Sequence, residues 1–247
     1  MCGRRQTAGG VAPGARRTRV DWKETIMADY VMNEPGILDF ANGLFQAKDD
    51  KYSCYILIDK NTPEGQVEAK RIVQAINETI VEGTTNGGKN QDGTPRPAPL
   101  AGVDPNDKEQ VKRLSLPLKD GDTDRFTRGE HNGELRKDVY KEFAGHWFMK
   151  LTAGNHRMCD EGLIRDKTNR PVAQRDVYSG NKVRAKIWFA PWSREGNRGI
   201  QARLNALLIV EPGEALYERR DADPFSGFGL PDAPGADDAD PFSSMGI

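Results

Sequence analysis

The sequence predicts a mainly β protein: a small β-barrel with one packed helix and long inserted loops. Short segments rich in β-branched and aromatic residues are joined by Gly-rich turns, and a single segment has helical spacing. The 247 residues include 26 Gly and 15 Pro, which favour turns and loops. No run of about 18 apolar residues occurs, so a membrane span is excluded.

The first half of the chain contains the predicted helix. Residues 52–58 are β-rich and predict a strand. Thr62 is a candidate N-cap and Pro63 a first helical residue, and apolar residues then recur at helical spacing over 64–81. Residues 83–107 carry dense Gly, Pro, Asn and Asp and predict a long loop. Residues 114–118 predict a short edge strand that is restricted by a proline.

The second half is rich in predicted strands. We expect these strands at 146–153, 172–177, 182–189 and 200–210. Residues 196–199, Gly-Asn-Arg-Gly, predict the turn of a hairpin between the last two. Several short strands joined in this way favour a barrel.

The net charge of −1 is a cancellation between segments. Residues 1–26 carry +4, residues 27–220 carry +1, and residues 221–247 carry −6. We therefore expect a disordered basic extension over 1–28, one folded domain over 29–218 and a disordered acidic tail over 219–247. A start of translation at Met27 is an alternative explanation of the basic extension.

The predicted strand 182–189 alternates with period two. Val183, Ala185, Ile187 and Phe189 share the predicted core face. The opposite face carries Lys182, Arg184, Lys186 and Trp188. On the partner strand we expect inward Ala202, Leu204, Ala206 and Leu208, and outward Gln201, Arg203 and Asn205.

Cations and aromatic rings are interleaved over this region. Residues 140–210 hold 13 Lys/Arg against six Asp/Glu, with eight Phe, Tyr and Trp among them. Cations follow the phosphates of a single strand and exposed rings stack on its bases, whatever the sequence. An ordinary solvated sheet with its Trp residues packed under a loop is the alternative. The predicted DNA contacts are Trp147, Lys150, Tyr178, Lys182, Arg184, Lys186, Trp188, Trp192, Arg194, Arg198 and Arg203.

The acidic tail contains a repeat. The pentapeptide Asp-Ala-Asp-Pro-Phe occurs at 221–225 and again at 238–242. Such a motif favours docking, with Phe in an apolar pocket and Asp against basic residues of a partner. The predicted partner-binding residues are Asp221, Asp223, Phe225, Asp237, Asp238, Asp240 and Phe242. We also expect the tail to compete with nucleic acid for the cationic sheet.

The sequence predicts no enzyme, no cofactor and no metal site. It contains neither a GxSxG nor an HExxH motif. Asp120, Asp122 and Asp124 resemble part of a calcium loop, but the remaining ligand positions do not follow. The three cysteines include no CxxC pair, which favours a reducing compartment and a cytoplasmic location.

Several segments together resemble the phage and prophage single-stranded DNA-binding proteins of replication and recombination gene clusters. They are residues 143–148, 176–180, 196–200, 204–206 and 212–216. The resemblance covers about 29–218 and implies an OB fold that coats single-stranded DNA without catalysis. It also implies an acidic tail that recruits replication or recombination proteins. Such tails end in an aromatic residue, whereas here five residues follow Phe242.

Two other functions compete with this prediction. The paired DPF motifs could serve a protein-interaction adaptor that binds no nucleic acid, with the β domain as scaffold. A metal-dependent nuclease would need the acids at 120–124. A homo-oligomer is compatible with the sequence, which does not determine the oligomeric state. The sequence also does not distinguish DNA from RNA as the ligand.

Overall fold

The computed structural model describes residues 29–48, 51–90, 92–154, 158 and 161–217. Eight strands pair into one sheet. They are β1 (Tyr30–Val31), β2 (Gly36–Asp39), β3 (Tyr52–Asp59), β4 (Leu118–Asp120), β5 (His146–Gly154), β6 (Ile164–Asp166), β7 (Lys182–Arg194) and β8 (Asn197–Glu211). Three α-helices accompany them: α1 (Pro63–Thr85), α2 (Lys108–Lys112) and α3 (Arg136–Val139).

Five of the strands form a closed ring. Strand β2 pairs with β3, β3 with β5, β5 with β8, β8 with β7, and β7 again with β2. The β5–β8 pairing is parallel and the other four are antiparallel. A ring of five strands is OB-like. The predicted fold class, mainly β with an OB-like set of strands and one long packed helix, is confirmed.

Helix α1 begins where its capping signals predict. The Thr62 hydroxyl accepts a hydrogen bond from the Gly65 N–H at 3.2 Å, and Pro63 opens the helix. The apolar stripe includes Ile72, Ile76 and Ile80, which are buried in the main core. The helix continues to Thr85, four residues past the predicted end, so the loop after it is shorter than expected.

The long hairpin of β7 and β8 corrects the predicted turn. The two strands pair from Lys182↔Glu211 to Arg194↔Asn197, so residues 197–199 belong to β8 and are not part of the turn. The turn is Glu195-Gly196, with φ of 51° and 80°. Two successive residues of positive φ are what a type I′ turn requires, and they match the twist of the strands.

A β-bulge corrects the predicted faces of β8. Lys186 pairs with Ala206 and Ile187 with Leu204, so Asn205 is an extra residue in β8. An extra residue reverses the alternation beyond it. Leu207 and Ile209 are therefore buried in the core, in place of the predicted Ala206 and Leu208.

Two other predicted strands are wrong. In segment 172–177, Gln174–Asp176 form a 3₁₀ turn, because the N–H groups of Asp176 and Val177 bond carbonyls three residues back. In segment 114–118, Ser115 forms an isolated bridge to Gly199 and strand β4 starts only at Leu118. Pro117 has no N–H to donate to a ladder. None of the helices in the described ranges is long and apolar enough to cross a membrane.

Candidate nucleic-acid interface

Strand β7 presents its charged face outward, as its alternation predicts. Val183, Ala185, Ile187 and Phe189 are buried in the core cluster. The side chains between them therefore point away from the core. They are Lys182, Arg184, Lys186 and Trp188, which are exposed or half-buried.

Trp188 and Arg203 form a cross-strand pair on this outer surface. They are directly opposite each other in the β7–β8 ladder, and the Arg203 guanidinium carbon lies 5.1 Å from the Trp188 ring centroid. Desolvation by burial lowers the pKa of Arg203. The pair thus combines a partly desolvated cation with an indole, the two groups that hold phosphate and base.

The same surface continues across β8 onto β5 and β3. Arg203 pairs with Thr152 in the parallel β5–β8 ladder, and the Thr152 hydroxyl donates to the Ala202 carbonyl at 3.3 Å. Lys150 lies two residues earlier on the same face of β5 and pairs with Tyr55 of β3. The Lys150 ammonium is 5.9 Å from the Tyr55 ring centroid. We name this set the outer row: Tyr55, Lys150, Thr152, Arg203 and Trp188.

An aromatic cluster that sequence reasoning missed lies at the Tyr55 end of the outer row. Successive ring centroids are 4.9 to 6.4 Å apart, at edge or tilted angles typical of packed aromatics. Its members come from two strands, a 3₁₀ turn and two connecting residues, so no single local pattern links them. They are Phe40, Tyr55, Tyr140, Phe143 and Phe148.

Arg136 of α3 packs onto this aromatic cluster. Its guanidinium carbon is 4.4 Å from the Phe126 ring centroid and 4.9 Å from that of Phe148. Its Nε donates to Asp124 Oδ2 at 2.7 Å, which fixes the plane of the guanidinium. A cation is thereby held among rings that face away from the main core.

Asp39 is a buried carboxyl beside the outer row. It pairs with Tyr55 in the β2–β3 ladder, and it is fully buried. Burial raises its pKa to about 6, although hydrogen bonds from the Phe40 N–H at 2.6 Å and the Tyr217 hydroxyl at 2.9 Å act in the opposite direction. Among the described residues its Oδ2 has no hydrogen-bond partner.

The end of the described chain crosses this region. Leu216 packs on the aromatic cluster and its N–H donates to the Ser179 carbonyl at 3.0 Å. The Tyr217 hydroxyl bonds Glu142 as well as Asp39, and its ring centroid lies 6.2 Å from that of Phe40. We name residues 212–217 the strap. It brings the chain to the edge of the outer row immediately before the acidic tail begins.

A groove lies at the tip of the β7–β8 hairpin. Its volume is about 1010 Å³, and it runs between the hairpin and the segment that contains α2. Arg198 crosses it and donates to the Ala101 carbonyl at 2.7 Å, while Arg194 pairs with Glu195 at 3.1 Å. Its lining includes one indole and four guanidinium groups: Trp192, Arg113, Arg128, Arg194 and Arg198.

The predicted contacts that lie outside both the outer row and the hairpin groove include Trp147, Tyr178 and Lys182. Trp147 is on the same side of β5 as buried Met149 and packs against the main core. The Tyr178 hydroxyl donates to the Gly213 carbonyl at 2.9 Å, so it holds the strap. Lys182 pairs with Glu211 at 2.5 Å at the far end of the hairpin.

The Asp carboxylates at 120–124 form ion pairs with Lys and Arg side chains of the same chain. Lys60 Nζ contacts Asp120 at 2.5 Å and Asp122 at 2.7 Å, and Arg136 bonds Asp124. The hydrogen bond from Lys60 lowers the pKa of Asp122. Within the described part of the chain, no three His, Cys, Asp or Glu side chains are placed to hold a metal ion. The carboxylates therefore act as structural ion-pair partners in this loop.

The predicted tail contacts lie outside the described residues. They are Asp221, Asp223, Phe225, Asp237, Asp238, Asp240 and Phe242, and the basic extension 1–28 lies outside them too.

Three solved structures are similar to this chain at low sequence identity. The single-stranded DNA-binding protein from bacteriophage Enc34 is 18% identical over 76% of this chain and 83% of its own, with a TM-score of 0.48. The same protein in complex with ssDNA is 17% identical over 74% and 86%, with a TM-score of 0.48. Gp2.5, a single-stranded DNA-binding protein encoded by bacteriophage T7, is 12% identical over 85% and 100%, with a TM-score of 0.42.

The assignment of this chain to a family comes from the match of its sequence to a family model. No curated protein sequence matches the chain significantly. The family model described as "Enterobacter phage Enc34, ssDNA-binding protein" matches residues 38–239, more than four fifths of the chain. The chain therefore belongs to the Enc34 single-stranded DNA-binding protein family.

Proposed function

We propose that this protein binds single-stranded DNA without sequence preference and uses the outer row as its contact surface. The observation that carries the proposal is the continuous placement of indole, guanidinium, ammonium and phenol groups across four neighbouring strands. Bases stack on rings whatever their identity, and cations follow the backbone. In OB folds the face of the second and third strands binds oligonucleotides, and here these positions are taken by β3 and β5.

The hairpin groove extends the proposed path. Trp192 and the arginines that line it lie at the loop between the last two ring strands, which is the second OB-fold region that binds oligonucleotides. In this proposal Trp188 and Trp192 contact bases, and Lys150, Arg184, Lys186, Arg194, Arg198 and Arg203 contact phosphates.

The proposed role is non-enzymatic: the protein coats single-stranded DNA in phage-type replication or recombination. It would act in the cytoplasm of the bacterial host, where phage DNA is copied. The acidic tail would recruit replication or recombination proteins through Phe225 and Phe242 and their neighbouring Asp residues. The tail would also compete with DNA for the cationic sheet. The position of the strap supports this second role, because the tail follows directly on a segment that packs beside the outer row.

The test is a titration of the protein with oligo(dT), followed by intrinsic Trp fluorescence at several salt concentrations. We expect quenching of the Trp fluorescence. A plot of the logarithm of the association constant against the logarithm of the salt concentration should have a slope of about −0.7 for each neutralised phosphate. Trp188→Ala should weaken binding by about 1–3 kcal/mol, roughly 5- to 150-fold, because one stacked base is lost.

The matched control is Trp147→Phe, since this indole faces the core and should be dispensable for affinity. No quenching and no gel shift by the wild-type protein would refute the proposed function. Equal affinities of wild type and Trp188→Ala would refute the assignment of the outer row.

A further inference from the structure

The N-terminal end of the described chain places a carboxylate on the predicted cationic surface. Strand β1 pairs with β7, with Val31 opposite Lys186 and Tyr30 opposite Ile187. Asp29 precedes the strand and therefore approaches the level of Trp188. Its two carboxylate oxygens have separate partners: Lys186 Nζ contacts Oδ2 at 2.8 Å and Asn205 Nδ2 donates to Oδ1 at 2.6 Å.

These two donors belong to neighbouring strands, β7 and β8, and lie side by side at the bulge. Asn205 is the extra residue of β8, and its exposed side chain leaves the regular ladder beside Lys186. An ammonium and an amide that each bond a different oxygen of one anion match the two non-bridging oxygens of a phosphodiester. The Arg203–Trp188 pair lies next to them in the same two strands.

We propose that Lys186 and Asn205 form a phosphate subsite for the single-stranded DNA backbone, and that Asp29 occupies it in the DNA-free protein. This inference rests on the proposed function. The Asp29 side chain is 34% exposed and that of Lys186 is 47% exposed. Water therefore screens their ion pair, which contributes little to folding stability. A phosphate can therefore displace the carboxylate at small cost. Competition from Asp29 lowers the affinity of the subsite for DNA.

Two neighbouring guanidinium groups have their own partners and are not aimed at this subsite. The Arg184 Nε donates to the Met32 carbonyl at 2.7 Å and not to Asp29. Arg203 is directed to the Trp188 ring. Lys186 and Asn205 are thus the donors that a backbone phosphate would engage at this position.

The experiment measures oligo(dT) affinity of the full chain by fluorescence anisotropy across a salt series. We expect Asp29→Ala to bind about two- to tenfold more tightly at low salt. We also expect the slope of the logarithm of affinity against the logarithm of salt concentration to become more negative by about 0.7, which is the value for one more phosphate contact with a single strand. Asp29→Asn, which keeps the size of the side chain, should show the same direction.

Two controls separate this effect from a general change of charge or fold. Glu78→Ala removes one negative charge from the exposed face of α1 and should leave both quantities near wild type. In a Lys186→Ala background, Asp29→Ala should no longer raise the affinity, because the subsite has lost its cation. Thermal unfolding of each variant should coincide with that of the wild type.

The results distinguish this inference from the function on which it rests. If the wild type binds oligo(dT) but Asp29→Ala and Asp29→Asn match it or match Glu78→Ala, the subsite is refuted and the function stands. If neither the wild type nor the variants bind, both are refuted. A gain that persists in the Lys186→Ala background would also overturn the subsite.

Discussion

Replacing Asp39 by Asn should change how the stability of this protein depends on pH. The carboxyl is fully buried beside the aromatic cluster, and burial raises its pKa from 3.8 to about 6. Between these two pH values the folded protein holds a proton on Asp39 that the unfolded chain has released. Stability contributed by that proton is present at low pH and is lost as pH rises through 6.

The magnitude follows from the same two values. A difference of about two pH units, at about 1.4 kcal/mol each, makes the ionised carboxylate cost about 3 kcal/mol above pH 6. The Asn amide carries no charge, but its NH₂ would replace an oxygen that has no partner among the described residues, at a cost of about 1–2 kcal/mol. Asp39→Asn should therefore be about 1–2 kcal/mol more stable than wild type at pH 7.

The assay is urea unfolding, followed by Trp fluorescence, of wild type and Asp39→Asn at pH 4, 5, 6 and 7. The difference in unfolding free energy should shift by about 2 kcal/mol between pH 7 and pH 4, because the wild type regains its proton. Asp166→Asn is the control of opposite sign, since hydrogen bonds from the Thr168 hydroxyl and the Arg170 N–H lower the pKa of Asp166. A difference that stays constant over this pH range would refute the reasoning.

Two further predictions concern the aromatic cluster and the tail. Arg136→Ala should reduce the free energy of unfolding by about 2–4 kcal/mol, because it removes a guanidinium that packs on Phe126 and Phe148 and leaves Asp124 with Lys119 as partner. Urea unfolding would contradict this if the loss is below 0.5 kcal/mol, about the size of an ordinary surface substitution. Deleting residues 221–247 removes six Asp and no Lys or Arg, so oligo(dT) should bind more tightly at low salt. Unchanged affinity of the truncated protein would count against competition by the tail.

The sequence predicts β7 well because a long strand repeats its pattern many times. Its inward and outward residues alternate over the whole predicted segment 182–189, and the structure confirms each side. In β8 the same reasoning holds up to Asn205 and then becomes wrong, since a one-residue bulge leaves no mark on composition. Strands β2 and β6, with four and three residues, are too short for any periodicity.

The sequence predicts outer-row residues on three strands: Trp188 on β7, Arg203 on β8 and Lys150 on β5. Trp188 and its neighbouring cations could be read from local alternation, and Arg203 from the partner strand. Tyr55 could have been noticed because it alternates with the buried face of β3. Phe40 and Tyr140, by contrast, lie far apart in the sequence and meet only in the folded chain, so no local pattern indicates their contact.

The closed ring also sets the order in which this chain can fold. Strand β8 supplies two of the five pairings, and it ends at Glu211, near the end of the sequence. On the ribosome, β2, β3 and β5 can pair as a meander, but their sheet keeps two open edges until the final hairpin has emerged. Contacts so distant along the chain are typical of slow folders. The polypeptide should therefore complete its ring only after β8 has been synthesised, and the meander stays exposed to chaperones or to aggregation until then.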